Sequence, residues 1–469
     1  MSSFQIRYAC TMFKYLFIFI GLFSSVVHSQ NLSEVAGYWD GSIDLYGEEL
    51  KINLTFSYTD EELDGTIDIP RQGSFNLPVE VTESNSDSLF FQFETGTGPA
   101  VFHGKRKSGN RTIEGNFEQM GEFFPFQLFK KNVFNGRVSD FSELEILIPT
   151  RAGQISGSLL LQDEPAPLII MLSGTGSQDR DENTAGFRMF RILSDKLYNT
   201  GYSTFRFDDR GIGESEGKQD ATLPELTEDL VDIIGYLHEN YGEQFNRLIL
   251  LGHNQGGLVA SLAEREADVS GLILLGTPFL RGDEIIQEQI ILISEERNVP
   301  VEIVEMNLEF QQRIFDVVRS NSDWDEIEQD LANRLEEQIN ELPDEQRATL
   351  GDMSSFIQSQ VDRQLSTAKS RWFKSLIELE PAELIAGVDV PIIAIFGEKD
   401  MQVSVGSNSE VANRLAASED VTLEIAKISD ANHLFQRANT GMPSEYGMLE
   451  NDFTDEFLDV LLQWLQSMD

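Results

Sequence analysis

The sequence predicts an α/β fold, a mostly parallel sheet with helices on both faces, preceded by an antiparallel β domain. After residue 140, compact apolar segments such as PLIIMLSG (167–174) and RLILLGH (247–253) alternate with helical stretches. That rhythm indicates parallel strands whose two faces are both covered by helices. Before residue 131, segments such as LKINLTFSY (50–58) alternate apolar and polar residues and are separated by Gly, Asn and Ser turns. That pattern predicts an antiparallel sheet or a small barrel.

The domain boundaries follow from these changes of pattern. We expect a signal peptide over residues 1–29, an N-terminal β domain over 30–135 and an α/β domain over 136–469. Within the α/β domain, acidic segments with helical periodicity interrupt the strand and helix rhythm from about residue 278 to 388. We interpret this interruption as an inserted helical cap over the carboxyl ends of the strands.

The first 29 residues resemble a cleavable secretory leader. Basic residues precede the apolar run YLFIFIGLFSSVV, which is too short to span a bilayer comfortably, and Ser29 suits cleavage before Gln30. We therefore expect a secreted or periplasmic protein without a membrane span. The only cysteine, Cys10, lies in this leader, so the mature chain has no disulfide and no thiolate ligand.

The composition is strongly acidic. The chain has 35 lysine and arginine residues against 79 aspartate and glutamate residues, which gives a net charge of -44 at pH 7. Such a surface repels the phosphates of nucleic acids, so we predict no nucleic-acid partner. The acidic residues are spread along the chain, which is typical of a solvated surface.

The segment GHNQGG, residues 252–257, lies between the apolar run RLILL and the small-residue stretch LVASLAE. A strand, a glycine-rich turn and a helix in this order are typical of the GxSxG turn that carries a nucleophilic serine. Gly252 and Gly256 occupy the two glycine positions of that pattern, but Asn254 stands in the place of the serine.

The histidines indicate which residues could complete such a site. Four of the five histidines belong to the mature chain, and of these His103 lies in the β region, His238 on a charged helix and His253 inside the turn itself. This leaves His433, in a loop after the predicted strand VTLEIAKI. Asp400 directly follows the predicted strand PIIAIF, so the chain order is nucleophile position, acid, base. In that arrangement the acid orients the imidazole and the imidazole removes the proton of the nucleophile.

From about Ser139 to Asp469 the sequence resembles secreted bacterial α/β-hydrolases of the serine-aminopeptidase-like and acyl-esterase-like group. The resemblance rests on these segments: LSGTGSQDRDEN, FRFDDRGIGES, GHNQGG, GEKDMQV and NHLFQRANTGMPSEYG. It implies an α/β-hydrolase fold and hydrolysis of ester or peptide bonds. It also implies an oxyanion hole made by the backbone N–H groups of Thr175 and Gln255. No cofactor and no metal site are predicted, and the expected partner is a small-molecule acyl ester or a peptide-like ligand; the oligomeric state stays open.

The asparagine at position 254 leaves three hypotheses, because an amide nitrogen is not a nucleophile. In the first, the protein is a noncatalytic descendant that binds an acyl or peptide-like ligand. In the second, His433 and Asp400 activate water directly without a covalent intermediate. In the third, deamidation converts Asn254 to aspartate, which Gln255 disfavours because no flexible glycine follows. Ser173 or Ser177 could replace the missing serine only within hydrogen-bonding reach of His433.

Overall fold

The structure is a computed structural model. It describes residues 35 and 37–468, apart from gaps at 46–47, 60–61, 70–73, 85–87, 96–97, 108–111, 120–121, 131–142, 323, 341–346, 348–351 and 419–420. The predicted signal peptide and the predicted boundary at residues 135–136 lie outside the described residues.

The chain divides into two compact units. One contains Met1–Val133 and Gln312–Ser370, and the other contains Phe134–Gln311 and Arg371–Asp469.

The N-terminal strands form a closed antiparallel barrel, as the alternating sequence pattern predicts. Each strand pairs with the next one, and β1 pairs with β8. The strands are β1 (Gly37–Leu45), β2 (Glu48–Thr59), β3 (Glu62–Ile69), β4 (Ser74–Ser84), β5 (Ser88–Thr95), β6 (Gly98–Lys107), β7 (Thr112–Gln119) and β8 (Glu122–Lys130). Aromatic side chains fill the interior, where the rings of Phe91 and Phe102 stack with their centroids 4.5 Å apart.

The second unit is built on an eight-stranded mixed sheet with the order β18-β17-β16-β15-β11-β14-β10-β9. Strands β11 and β14 to β18 are parallel to one another, while β10 pairs antiparallel with both β14 and the edge strand β9. The strands of this unit are β9 (Leu144–Thr150), β10 (Gly153–Leu160), β11 (Ala166–Leu172), the short hairpin β12 (Asn183–Thr184) and β13 (Phe187–Arg188), β14 (Ser203–Phe207), β15 (Phe245–His253), β16 (Gly271–Leu275), β17 (Ile392–Gly397) and β18 (Leu423–Ile428).

The helices are α1 (Met189–Tyr198), α2 (Leu223–Tyr241), α3 (Gln255–Ala263), α4 (Gly282–Glu296), α5 (Val301–Ser320), α6 (Trp324–Asn340), α7 (Met353–Ser366), α8 (Arg371–Ile377), α9 (Pro381–Ala386), α10 (Val405–Ala416) and α11 (Asp455–Ser467). Helices α1, α2, α3, α10 and α11 contact strands of this sheet. The central strands β11, β15 and β16 are almost entirely buried, which explains their continuous apolar sequences. The predicted α/β fold with a mostly parallel sheet is confirmed.

Helices α4 to α9 follow β16 and precede β17 along the chain, where the sequence predicts an insertion. Residues 312–370 of this segment belong to the same compact unit as the barrel strands. The predicted role of the insertion as a cap over the strand ends stays a prediction.

The carboxyl ends of the parallel strands lie along one edge of the sheet. The chain leaves β11 into the loop that contains Thr175, β15 into Asn254, β17 into the loop that contains Asp400 and β18 into the loop that contains His433. Ligands bind at this edge in open α/β sheets, so the topology collects the candidate residues where a site is expected.

Candidate active site

The turn at Asn254 connects β15 to α3 with a strained backbone. Asn254 has φ 47° and ψ -117°, a conformation that few residues other than glycine adopt, and its N–H donates to the carbonyl oxygen of Leu275 at 2.8 Å. The neighbouring glycines are needed for space. A Cβ atom on Gly252 would lie 2.3 Å from the backbone of Gly256, and one on Gly256 would lie 2.3 Å from the carbonyl oxygen of Leu172.

The structure brings Asn254, His433 and Asp400 together in one hydrogen-bonded row. The Nδ2 atom of Asn254 lies 2.8 Å from Nε2 of His433, and Nδ1 of His433 lies 2.6 Å from Oδ2 of Asp400. The side chains of His433 and Asp400 are almost fully buried, whereas Asn254 is partly accessible. The sequence order nucleophile position, acid, base therefore corresponds to contiguous side chains, although the catalytic roles stay predictions.

The hydrogen bonds around Asp400 define the tautomer of His433. The second carboxylate oxygen of Asp400 accepts the backbone N–H groups of Gln402 at 2.7 Å and Val403 at 2.9 Å. An amide nitrogen only donates, so Nε2 of His433 accepts the hydrogen bond from Nδ2 of Asn254. The proton of the ring is then on Nδ1, which donates it to Oδ2 of Asp400.

The two amides expected to form the oxyanion hole belong to segments that adjoin Asn254. Gln255 is the first residue of α3, where backbone N–H groups have no partner within the helix. Within the described part of the chain, neither its N–H nor that of Thr175 has a hydrogen-bond acceptor. The hydroxyl of Thr175 donates to Oδ1 of Asn254 at 3.1 Å, so the Thr175 loop reaches the turn. The side chain of Gln255 accepts the indole N–H of Trp372 at 2.6 Å.

A second buried pair of a histidine and a carboxylate lies beside His433. Nδ1 of His253 is 2.6 Å from Oε1 of Glu182, and Nε2 of His253 is 3.0 Å from the carbonyl oxygen of His433. Burial opposes a charge on His253, but the adjacent Glu182 carboxylate raises the pKa of the ring above its ordinary value. Sequence patterns single out neither His253 nor Glu182 as a site residue. The sequence signals that point to them are the position of His253 directly before Asn254 and the acidic segment DRDEN, which contains Glu182, after β11.

Ser173 does not replace the missing serine. Its hydroxyl donates to the carboxylate of Asp209 at 3.0 Å, and among the described residues neither Ser173 nor Ser177 donates to His433. Burial raises the pKa of the Asp209 carboxyl to about 7, although hydrogen bonds from the Gln178 N–H and Ser173 oppose this rise. A small cleft between β10, α2 and α3 is lined in part by these Ser173 and Asp209 side chains.

The remaining histidines belong to other surroundings. His103 lies on β6 of the barrel, 3.6 Å from a carboxylate oxygen of Glu118, and the ring of His238 on α2 packs edge-on against Phe245. Over the described residues, no cluster of three or more His, Cys, Asp or Glu side chains is arranged to hold a metal ion. None of the helices in the described ranges is both long enough and apolar enough to cross a bilayer.

Comparison with known proteins identifies the family. Residues 186–433 match the family model of serine aminopeptidase, S33, a segment that includes positions 254, 400 and 433. The chain is 21% identical to esterase EstD of Thermotoga maritima over 327 residues, which cover 69% of this chain and 68% of that protein.

Solved structures of two esterases are also similar. A Pyrococcus furiosus esterase is 17% identical with a TM-score of 0.41, covering 71% of this chain and 93% of the other. An esterase from Thermogutta terrifontis is 17% identical with a TM-score of 0.38, covering 69% and 99%. Because the family model spans more than half of the 469 residues, the chain belongs to the S33 serine aminopeptidase family of α/β-hydrolases.

Proposed function

We propose that this protein binds a small acyl ester or a peptide-like ligand at the Asn254 site and has lost hydrolysis through an acyl-enzyme. The observation that carries the proposal is the contact of 2.8 Å between the Asn254 amide nitrogen and Nε2 of His433. This contact occupies the lone pair with which a general base would remove a proton. The amide nitrogen has its own lone pair delocalised and cannot attack a carbonyl carbon.

The parts that recognise a carbonyl group support ligand binding. The N–H groups of Thr175 and Gln255 lack acceptors in the described part of the chain, and the side chains of Asn254 and Thr175 are accessible. Backbone donors do not depend on the side chain at position 254, so they can still polarise a carbonyl oxygen. The similarity to esterase EstD supports an ester as the ligand class. The leader-like sequence of residues 1–29 supports the further proposal that the protein is secreted or periplasmic.

The decisive experiment restores the hydroxyl with Asn254→Ser. Serine catalysis contributes about a millionfold to kcat in a well-studied serine protease, so p-nitrophenyl butyrate turnover is expected to rise at least about a thousandfold over wild type. A fluorophosphonate probe is expected to label Asn254→Ser and to leave wild type unlabelled. Two matched controls, Asn254→Ala and Asn254→Ser with His433→Ala, are expected to stay inactive.

Binding is tested separately on the wild-type protein. Saturation-transfer NMR is expected to show saturation-transfer signals from p-nitrophenyl butyrate in the presence of the protein. An excess of butyrate is expected to compete for the site and to weaken these signals. Absence of contact in wild type, or an inactive but folded Asn254→Ser variant, would overturn the proposal.

The alternative in which His433 activates water predicts a different pattern. Wild type would then turn over the ester, the turnover would require His433 and Asp400, and no covalent label would form. Because the Asn254 amide stands at Nε2 of His433, water would first have to displace it. Turnover by wild type comparable to that of Asn254→Ser would therefore establish the alternative and refute the loss of activity.

A further inference from the structure

The pair formed by Glu182 and His253 is buried directly behind the candidate base. Both side chains are 3% exposed, and the rings of His253 and His433 lie with their centroids 4.5 Å apart. The proposed chemistry uses neither residue. A buried ion pair is costly to desolvate, so the contacts that this pair makes beside the site have to offset that cost.

The surroundings of His253 define its proton positions. Its Nε2 atom faces the carbonyl oxygen of His433 at 3.0 Å, and a carbonyl oxygen only accepts, so Nε2 carries a proton. Its Nδ1 atom faces Oε1 of Glu182 at 2.6 Å, and the same oxygen accepts the N–H of Gly174 at 2.8 Å. The other oxygen of Glu182 is buried without a partner. Despite burial of the ring, the adjacent Glu182 raises the pKa of His253 above its ordinary value, which favours a second proton on Nδ1.

Three segments meet at this pair. Gly174 belongs to the loop that carries Thr175, His253 belongs to the turn that carries Asn254, and the carbonyl of His433 belongs to the base loop. The packing leaves little freedom, since a Cβ atom on Gly174 would lie 2.8 Å from Oε1 of Glu182 and 3.1 Å from Nδ1 of His253. The loop can therefore approach the pair closely only with glycine at position 174.

We propose that Glu182 and His253 are positioning residues, whose buried ion pair holds the Thr175 loop and the His433 loop in register with the Asn254 turn. Glu182 acts on the Thr175 loop by accepting the N–H of Gly174. His253 acts on the His433 loop by donating to the backbone carbonyl of His433. Both side chains are buried, so the pair acts through these backbone contacts. Besides Glu182, the charged group that faces His253 is Asp400, and the ring of His433 is its titratable neighbour.

The first test needs no activity. In wild type, imidazole NMR is expected to show two hydrogen-bonded Nδ1–H resonances, one from His433 and one from His253. Glu182→Gln is expected to remove the His253 resonance at neutral pH and to speed proton exchange at Nδ1 of His433 and at the N–H of Gly174. The matched control is Asp179→Asn in the same loop, which keeps an acceptor for the backbone N–H groups of Asp181 and Asn183 and leaves both resonances unchanged.

A second variant separates positioning from packing. Glu182→Leu combined with His253→Phe removes both charges and fills similar volume, a replacement that buried ion pairs often tolerate. The folded double variant is expected to show the same fast exchange at His433. If exchange at His433 stays at the wild-type rate in both folded variants, the pair is only structural and the proposal fails.

The third test rests on the proposed function and uses the Asn254→Ser background. Adding Glu182→Gln is expected to lower kcat about tenfold or more with little change in KM, because misplacement of about 1 Å can cost about a hundredfold. The loss is expected to be greater at pH 8 than at pH 6, since without the carboxylate His253 gives up its proton at lower pH. If Asn254→Ser itself is inactive, the proposed function fails while the NMR experiments still decide this inference.

Discussion

Replacing Asp209 by asparagine is expected to remove a pH-dependent loss of stability from the α/β unit. The carboxylate accepts the hydroxyl of Ser173 at 3.0 Å and the N–H of Gln178 at 2.9 Å, and burial raises its pKa from 3.8 to about 7. An asparagine can keep both contacts, because its amide oxygen accepts the N–H of Gln178 and its NH₂ group donates to the Ser173 oxygen. The substitution therefore changes the charge and little else.

The sign follows from proton binding. Because the carboxyl pKa of Asp209 is higher in the folded than in the unfolded state, its stabilising contribution is fully present below about pH 4 and is lost as the pH rises through 7. Each tenfold change in proton affinity corresponds to about 1.4 kcal/mol, so the loss is at most about 4 kcal/mol. At about 2 to 4 °C per kcal/mol, Asp209→Asn is expected to raise the Tm by at most about 8 to 16 °C at pH 8.5.

Thermal unfolding of both proteins between pH 5 and pH 8.5 measures this difference directly. The Tm gap between variant and wild type is expected to widen steadily from pH 5 to about pH 7 and to level off above pH 7, because the folded and unfolded states differ in bound protons only between the two pKa values. Comparing the two proteins at each pH cancels the repulsion among the many other carboxylates. A gap that is the same at both ends of the range would show that Asp209 titrates at its ordinary pKa and that the reasoning is wrong.

Two further predictions concern packing and charge. Arg206→Met is expected to lower the free energy of unfolding by about 3 to 5 kcal/mol in urea titrations, because Arg206 is 1% exposed and its loss leaves Oδ1 of the buried Asp181 carboxylate without its arginine partner, while Arg188 stays paired with Oδ2. Gly257→Ala is expected to cost about 1 to 3 kcal/mol, since its Cβ atom would lie 2.0 Å from Oγ1 of the buried Thr277. Gly235→Ala on α2 is the matched control, since no atom lies within 4 Å of the added Cβ, and it is expected to stabilise by about 1 kcal/mol.

The sheet of the second unit could be predicted because its buried strands are recognisable by their continuous apolar sequences. The apolar runs RLILLGH and PIIAIFG correspond to β15 and β17, since a strand covered on both faces needs apolar residues at every position. The barrel was predictable for the complementary reason, because one buried face produces alternation, as in β6. The helical insertion was predictable as helices. The grouping of its residues 312–370 with the barrel strands could not be predicted. Helical periodicity indicates that one face of a helix is buried, but it does not identify the element that covers that face.

In the candidate site, the sequence predicted contacts that depend on strand order and missed those that depend on loop paths. Asn254, Asp400 and His433 lie within five residues of the carboxyl ends of three parallel strands, so their proximity follows from the topology. Glu182 lies ten residues beyond the end of β11, after a loop whose course no periodicity describes. Its contact with His253, and the burial that raises the pKa of Asp209, depend on how that loop folds back over the sheet.

The backbone conformation and the contacts of Asn254 restrict which residues fit at position 254. The backbone there has φ 47°, which asparagine tolerates better than most residues with a Cβ atom. Glycine would fit the backbone but would leave Nε2 of His433 and the hydroxyl of Thr175 without a partner, whereas the amide of Asn254 serves both. An unsatisfied buried polar group costs about 1 to 3 kcal/mol, which applies to Nε2 of the buried His433, whereas water can replace the partner of the exposed Thr175 hydroxyl. Under the proposed function, an asparagine that fits the strained turn and satisfies His433 favours a site kept for binding over one that is decaying.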